Sequence, residues 1–172
     1  MVQLIEFVSA LIAAKAPQRP LRIVVADDER DTVMTLGAIL ADEGHIVVKA
    51  FSAPQAVREI RQQAPDALIV DINMPGVSGY EVAREARRIF GNLAPMLIAI
   101  SGRWTGQTDV MLSKLAGFHY FLEKPCDPKV LLSLLAPLKR RPPTPGVNLL
   151  EDTAPPIPPG IARRYFRKTH FS

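Results

Sequence analysis

The sequence predicts an α/β fold, a doubly wound parallel sheet, on three observations. Five short apolar runs begin near residues 21, 45, 66, 95 and 118, and each is followed by a segment whose apolar residues recur at helical spacing. The runs are apolar nearly throughout, as strands are when both faces of a sheet are covered. Capping and turn residues stand at the junctions, where strand must give way to helix.

Each element can be justified in order. "LRIVVADD" is an apolar run that ends in acids, and Val33, Leu36 and Leu40 then fall on one face of a helix from about Glu29 to Glu43, closed by Gly44. "HIVVKAF" is β-branched and short; Ser52, with Gln55 three residues later, predicts a capping box ahead of Ala53, Ala56, Val57 and Ile60. "DALIVD" is the third strand, and Ser78 with Glu81 predicts a second capping box for a helix reaching about Phe90. "PMLIAIS" is the fourth strand, with a helix from about Gln107 to Ala116. "FHYFLEK" is the fifth, and Asp127-Pro128 reads as an N-cap and first-turn proline for a helix carrying Val130, Leu131, Leu134, Leu135 and Leu138.

Strands that alternate with helices form a parallel sheet through right-handed crossovers, and at this length the flavodoxin-like order 2-1-3-4-5 leads. The binding crevice of such a sheet lies at the carboxyl ends of its strands, at the switch point between the first and third. The residues at those ends are Asp27 and Asp28, Asp71, Ser101 and Lys124. Acids held close raise one another's pKa unless a cation joins them. An oxygen-only donor set points to a hard divalent ion such as Mg2+, which takes a few carboxylates together with a phosphate. Taken singly, each residue has a plainer reading: Asp28 as a helix cap, Asp71 as a turn residue before Asn73 and Pro75, Lys124 as a solvated charge, Ser101 as a loop start.

In combination these residues resemble the receiver domain of two-component response regulators over roughly residues 21 to 139. The motif stands here as the pair Asp27-Asp28, the aspartate of "DINMPGVSG" with Pro75 and Gly79, Ser101 after the fourth strand, and Lys124-Pro125 after the fifth. The resemblance implies that Asp71 is a phosphoacceptor attacking a phosphohistidine of a histidine kinase or histidine phosphotransfer protein. It implies that Mg2+ is held by Asp27, Asp28, the Asp71 carboxylate and the backbone carbonyl of Asn73. Lys124 and Ser101 would bond the phosphoryl oxygens, and Phe121 would follow Ser101 as a switch residue without a hydroxyl. The protein would catalyse its own phosphotransfer and its own dephosphorylation, and would signal to a downstream protein through the face made by the fourth helix, fifth strand and fifth helix. Trp104, the single tryptophan, falls in the loop after the fourth strand.

Two other functions can be set against the same residues. A phosphatase with an aspartyl nucleophile would need an acid two residues after it, where Asn73 stands, and an amide cannot carry the proton. A phosphate-independent receiver scaffold is disfavoured because every motif position keeps a competent side chain.

Composition bounds the rest. The chain has 172 residues, 48% of them hydrophobic, a single cysteine, Cys126, and a net charge of +4. One cysteine excludes an internal disulfide and suits a cytoplasmic protein. From Lys139 onward seven basic residues face Glu151 and Asp152, so the tail carries +5 and the remainder −1. The basic balance therefore describes the tail. Residues 1–16 carry Leu4, Ile5, Val8, Leu11 and Ile12 on one stripe, an amphipathic helix suited to its own domain or to a partner, including a second copy. No basic residue precedes Lys15, which argues against a secretory signal, although Ala14-Lys15-Ala16 resembles a cleavage site. Residues 17–20 read as a linker, 21–141 as the receiver unit, and 142–172 as a proline-rich, poorly ordered tail. The tail ends in "IARRYFRKTHFS", whose basic and aromatic residues suit nucleic acid or an anionic membrane. So short and proline-rich a tail cannot form a helix-turn-helix output domain, and a stand-alone receiver is expected.

Overall fold

A computed structural model of the chain describes residues 19–102 and 107–139. The amphipathic segment 1–16, Trp104 and the tail 142–172 lie outside the described residues. Five strands, β1 (Arg22–Ala26), β2 (Ile46–Ala50), β3 (Ala67–Asp71), β4 (Met96–Ser101) and β5 (Tyr120–Glu123), form one sheet in the order β2-β1-β3-β4-β5. Every pairing is parallel, with Val24 opposite both Val48 and Leu68, Ile69 opposite Ile98, and Ser101 opposite Glu123. The flavodoxin-like order expected from the sequence is the one found.

The helices are α1 (Arg30–Asp42), α2 (Ala53–Gln63), α3 (Gly79–Phe90), α4 (Gln107–Ala116) and α5 (Pro128–Lys139), with a short 3-10 turn at Gly91–Leu93. The period of two along each strand divides the apolar side chains between two cores. Ile23, Val25, Ile69, Ile98 and Ile100 pack beneath α1 and α5, against Val33, Leu36, Leu40, Leu131, Leu134 and Leu135. Val24, Ala26, Leu68, Val70, Leu97 and Ala99 point the other way, onto Ala56 and Ile60 of α2 and Val82 and Ala86 of α3, with Ala116 at the end of α4. Each fully buried Leu or Ile is worth about 1.5–3 kcal/mol. An exposed ion pair such as that of Arg88 with Glu85 is screened by solvent and adds little, so the two cores hold the fold.

The helix termini follow the sequence with two differences. Gly44 ends α1 at φ +82, a conformation glycine adopts without strain, and Asp127 Oδ1 accepts the Lys129 N–H at 2.9 Å ahead of Pro128. Ser78 and Glu81 form the expected capping box, the Glu81 carboxylate accepting the Ser78 N–H at 2.9 Å. At α2 only half of the box forms: Ser52 Oγ accepts from Gln55 N–H, but the Gln55 amide reaches one residue further back, to Phe51 N–H at 3.0 Å and Lys49 O at 3.2 Å. Gln55 thereby ties α2 to the end of β2. At α1 the capping position belongs to Glu29, so Asp28 is free of that duty. No helix among the described residues is long and apolar enough to cross a membrane.

Candidate functional site

The carboxyl edge of the sheet gathers the residues singled out by the sequence. Asp71 is the last residue of β3 and Ser101 the last of β4, while Asp27 and Asp28 stand just beyond β1 and Lys124 just beyond β5. Backbone bonds continue past the strands and fix these positions: Asp27 N–H donates to Ala50 O at 3.2 Å, Ile72 N–H to Ile100 O at 3.0 Å, and Lys124 N–H to Ser101 O at 2.9 Å. The Lys124–Pro125 peptide bond is cis. Gly79 lets α3 start against the same edge. Its N–H donates to Ile72 O at 3.0 Å, and a Cβ there would strike the Asp71 carbonyl oxygen and lie 2.9 Å from Ile72 Cα.

Lys124 is the hub. Its Nζ lies 2.7 Å from Asp27 Oδ2, 3.1 Å from Asp71 Oδ2 and 4.0 Å from Glu29 Oε2. Asp27 is fully buried and Asp71 nearly so, whereas Asp28 is exposed. Burial works to lower the Lys124 pKa, but its bonds to Asp27 and Asp71 outweigh burial and hold the ammonium above its ordinary range. Burial raises the Asp27 pKa; Lys124 and the Glu29 N–H, which donates to Oδ1 at 3.0 Å, oppose it, and the charge of Asp71 adds a little. Mutual repulsion of the acids, the effect named from the sequence, is therefore secondary to desolvation at Asp27.

The three carboxylates fit a divalent cation. Asp27, Asp28 and Asp71 each bring an oxygen within 4.8 Å of the others. Asp27 Oδ2 is buried and meets the ammonium as an ion pair, yet receives no aligned hydrogen bond. A buried anionic oxygen in that situation, within an oxygen-only donor set, suits a hard ion such as Mg2+.

Asn73 and Ser101 are joined directly. Asn73 N–H donates to Asp71 Oδ1 at 3.2 Å, and its side-chain amide donates to Ser101 Oγ at 2.8 Å across the gap between β3 and β4. Ser101 is buried. A Cβ at Gly102 would make only ordinary contact with Lys124, at 3.9 Å. Phe121 is half-buried and packs on the core beneath α2, α3 and α4. His45 and His119 serve the backbone: their Nδ1 atoms accept the N–H groups of Leu21 at 3.3 Å and Leu97 at 2.8 Å. Cys126 stands two residues after Lys124, a cation that would favour an ionised thiol. Burial and the neighbouring Asp127 instead push the thiol up to about 11.

Sequence reasoning missed three participants. Glu29 looked like a helix start, and its reach toward Lys124 depends on where β5 lies. The Asn73 side chain was read for what an amide cannot do, while its bond to Ser101 joins strands 28 residues apart. Gly79 was a motif position with no stated reason, and the collision of a Cβ with β3 supplies one.

Comparison with known proteins converges on one family. A family model described as the response regulator receiver domain matches residues 23–136. Protein PilH of Pseudomonas aeruginosa is 32% identical over 114 residues, spanning 66% of this chain and 93% of that protein. The sensory/regulatory protein RpfC of Xanthomonas campestris is 30% identical over 137 residues, 78% of this chain but 19% of that much longer protein. The crystal structure of a CheY-like receiver domain protein from Methanospirillum hungatei superposes with a TM-score of 0.64 at 23% identity, covering 70% of this chain and 94% of that one, a likeness of fold. With two thirds of its length matched by the family model and the acidic edge, serine and lysine at the strand ends, the chain belongs to the response regulator receiver domains.

Proposed function

We propose that this chain is a phosphorylation switch in which Asp71 accepts a phosphoryl group from a phosphohistidine of a histidine kinase or phosphotransfer protein. The observation that carries the reading is the position of Lys124, whose ammonium lies 2.7 Å from Asp27 and 3.1 Å from Asp71 at the edge that also holds Ser101. An Asp71 carboxylate oxygen attacks phosphorus, the bond from phosphorus to the imidazole nitrogen breaks, and the electron pair leaves with the imidazole, forming an aspartyl phosphate. Such a transfer needs little beyond positioning and charge neutralisation.

Lys124 neutralises one phosphoryl oxygen, exchanging part of its contact with Asp71 for the new group. Ser101 donates its hydroxyl to a second oxygen while the Asn73 amide continues to donate to Oγ, since a hydroxyl can accept and donate at once. A divalent cation held by Asp27, Asp28, Asp71 and the Asn73 backbone carbonyl would supply the remaining charge compensation. The same edge then serves a water-dependent loss of the phosphate, so the protein catalyses both its own phosphotransfer and its own dephosphorylation. Movement of Ser101 toward the phosphate and of Phe121 behind it alters the face made by α4, β5 and α5, and with it the protein's contacts in the cytoplasm.

Intact-protein mass after incubation with acetyl phosphate, with and without Mg2+, tests the proposal. One added phosphoryl group that needs the metal and is absent from Asp71→Asn is expected. A metal-independent adduct, or one that persists in Asp71→Asn, would overturn it, as would no adduct with either acetyl phosphate or a phosphorylated kinase.

A further inference from the structure

Helix α4 is amphipathic in the wrong sense. Over residues 111–116 it turns Ser113 and Ala116 into the protein and leaves Met111 64%, Leu112 44% and Leu115 71% exposed. Met111 lies four residues before Leu115 and Leu112 three before it, so the three share one face. Other helices bury their large aliphatics: α1 buries Val33, Leu36 and Leu40, and α5 buries Leu131, Leu134 and Leu135. A single exposed aliphatic is ordinary on a protein surface, but three together on one helix, outside an inner face of small residues, mark a surface that something covers. Arg84 of α3 and Lys114, both exposed, line the same concave surface as Leu115, and no acid is among its lining residues.

The chain itself carries a matching segment. Like α4, α5 runs back from the carboxyl edge of the sheet, so the two helices finish at the amino edge, on either face beside the edge strand β5. Helices are ~10–12 Å across, so two on opposite faces of one sheet have axes roughly 20 Å apart. Beyond Lys139, where α5 ends, comes "RRPPTPG". Its prolines favour an extended arm of about 3.1 Å per residue, which carries the chain about 22 Å. Next stands "VNLLED", in which Leu149 and Leu150 adjoin Glu151 and Asp152. These two are the only acids after Lys139, and they follow the leucines directly.

We propose that residues 147–152 dock on this face of α4, with Leu149 and Leu150 on Met111, Leu112 and Leu115 and the carboxylates of Glu151 and Asp152 toward Arg84 and Lys114. Apolar contact supplies the attraction, and the opposite charges set the direction in which the segment lies. The tether makes docking intramolecular, at an effective concentration of order mM for a short linker, so a small contact suffices. Segment 1–16 suits the face less well. Its one acid, Glu6, is offset by Lys15, and it joins the fold at Arg19, which Asp66 anchors where β1 and β3 begin, away from the β5 edge. The docking needs no phosphate and goes beyond the phosphorylation reading; where that reading holds, the segment and a downstream protein compete for α4.

Oxidation by hydrogen peroxide of the full chain, with no phosphodonor or Mg2+ present, reads the cover through Met111, because sulfoxide forms fastest on an exposed thioether. Met34 of α1, 48% exposed, is the internal reference. Leu149→Ser/Leu150→Ser should speed oxidation of Met111 by about threefold or more and leave Met34 unchanged. Glu151→Lys/Asp152→Lys should give part of that acceleration, and adding Arg84→Glu/Lys114→Glu to it should restore the slow rate. Protection should be the same after dilution of the protein. Equal Met111 rates in the unsubstituted chain and the leucine variant would overturn the proposal, whether α4 is bare or covered by segment 1–16. Protection lost on dilution would overturn it in favour of a second copy, and a charge swap that restores nothing would overturn it as well. The leucine and acid substitutions lie outside the described fold, so their effects cannot be put down to its unfolding.

Discussion

At the carboxyl edge of the sheet one lysine is enclosed by acids, with Asp27 and Asp71 both within 3.1 Å of its ammonium; at the amino edge Arg84, Arg87, Lys114 and His119 line an open concave surface. The first cluster is buried and internally matched in sign, with a surplus of negative charge. The second is open and rich in cations. The difference reflects where each cluster comes from in the chain. Residues at the carboxyl edge follow directly on buried strands and are held by extensions of the sheet ladder, whereas those at the amino edge come largely from the last turns of helices, where cations are ordinary. Rigid placement at the first edge and open charge at the second suit different tasks.

The sharpest way to break this comparison is to remove one cation from each edge. Lys124→Ala should slow phosphoryl uptake from acetyl phosphate by about 10²–10³-fold, as expected when a single charge-stabilising donor is lost. Lys114→Ala should leave that rate unchanged. Equal effects of the two, measured by intact mass against time, would show that the edges are not functionally separate.

The two glycines provide the next contrast. Gly79→Ala drives a Cβ into backbone of β3, which cannot yield, and should cost about 2–3 kcal/mol in urea unfolding while also slowing phosphorylation. Gly117→Ala meets a flexible arginine and an unfavourable φ, and should cost about 1 kcal/mol with normal phosphorylation. A larger loss at Gly117 than at Gly79 would contradict the assignment of the rigid edge.

Asn73→Ala removes the bond that spans β3 and β4. A loss of about 1 kcal/mol in stability is expected, together with a changed lifetime of the phosphorylated form, because Ser101 loses its fixed orientation. An unchanged lifetime measured by mass over time would assign Asn73 a structural role alone.

Cys126 gives the smallest effect and a pH dependence. With its thiol pushed up to about 11, the folded protein at pH 8 should alkylate roughly 100-fold more slowly than the chain in urea, whose thiol ionises near ~8.5. Because the folded value is raised, the rate should keep climbing about tenfold per pH unit between pH 8 and 10 instead of levelling near 9. A plateau near pH 9 in the folded protein would mean that burial does not govern this thiol.

The strands, the helices and the strand order were legible in the sequence because burial on both faces leaves continuous apolar runs, and because residues such as Gly44, Ser78 and Asp127 mark their boundaries by backbone chemistry alone. The acidic edge was legible for the same reason: Asp27, Asp71 and Ser101 each directly follow an apolar run, and Lys124 comes one residue after one. The reach of Glu29 toward Lys124, the amide of Asn73 on Ser101 and the gathering of Arg84, Arg87, Lys114 and His119 were not, since each depends on distances between elements far apart in the chain. Gln55 shows the same limit at short range. Its spacing from Ser52 was right for a capping box, yet an extra hydrogen bond to the end of β2 drew the amide one residue back.

The alternation that sends Val24 to one core and Val25 to the other also makes the sheet a partition. Truncations on opposite sides, such as Leu40→Ala beneath α1 and Ile60→Ala beneath α2, share no neighbouring cavity, so their costs should simply add. Lineages descending from such a sequence can therefore redraw the α2–α3–α4 layer in small steps while the α1–α5 layer keeps its packing, and the barrier between the two histories is one sheet thick.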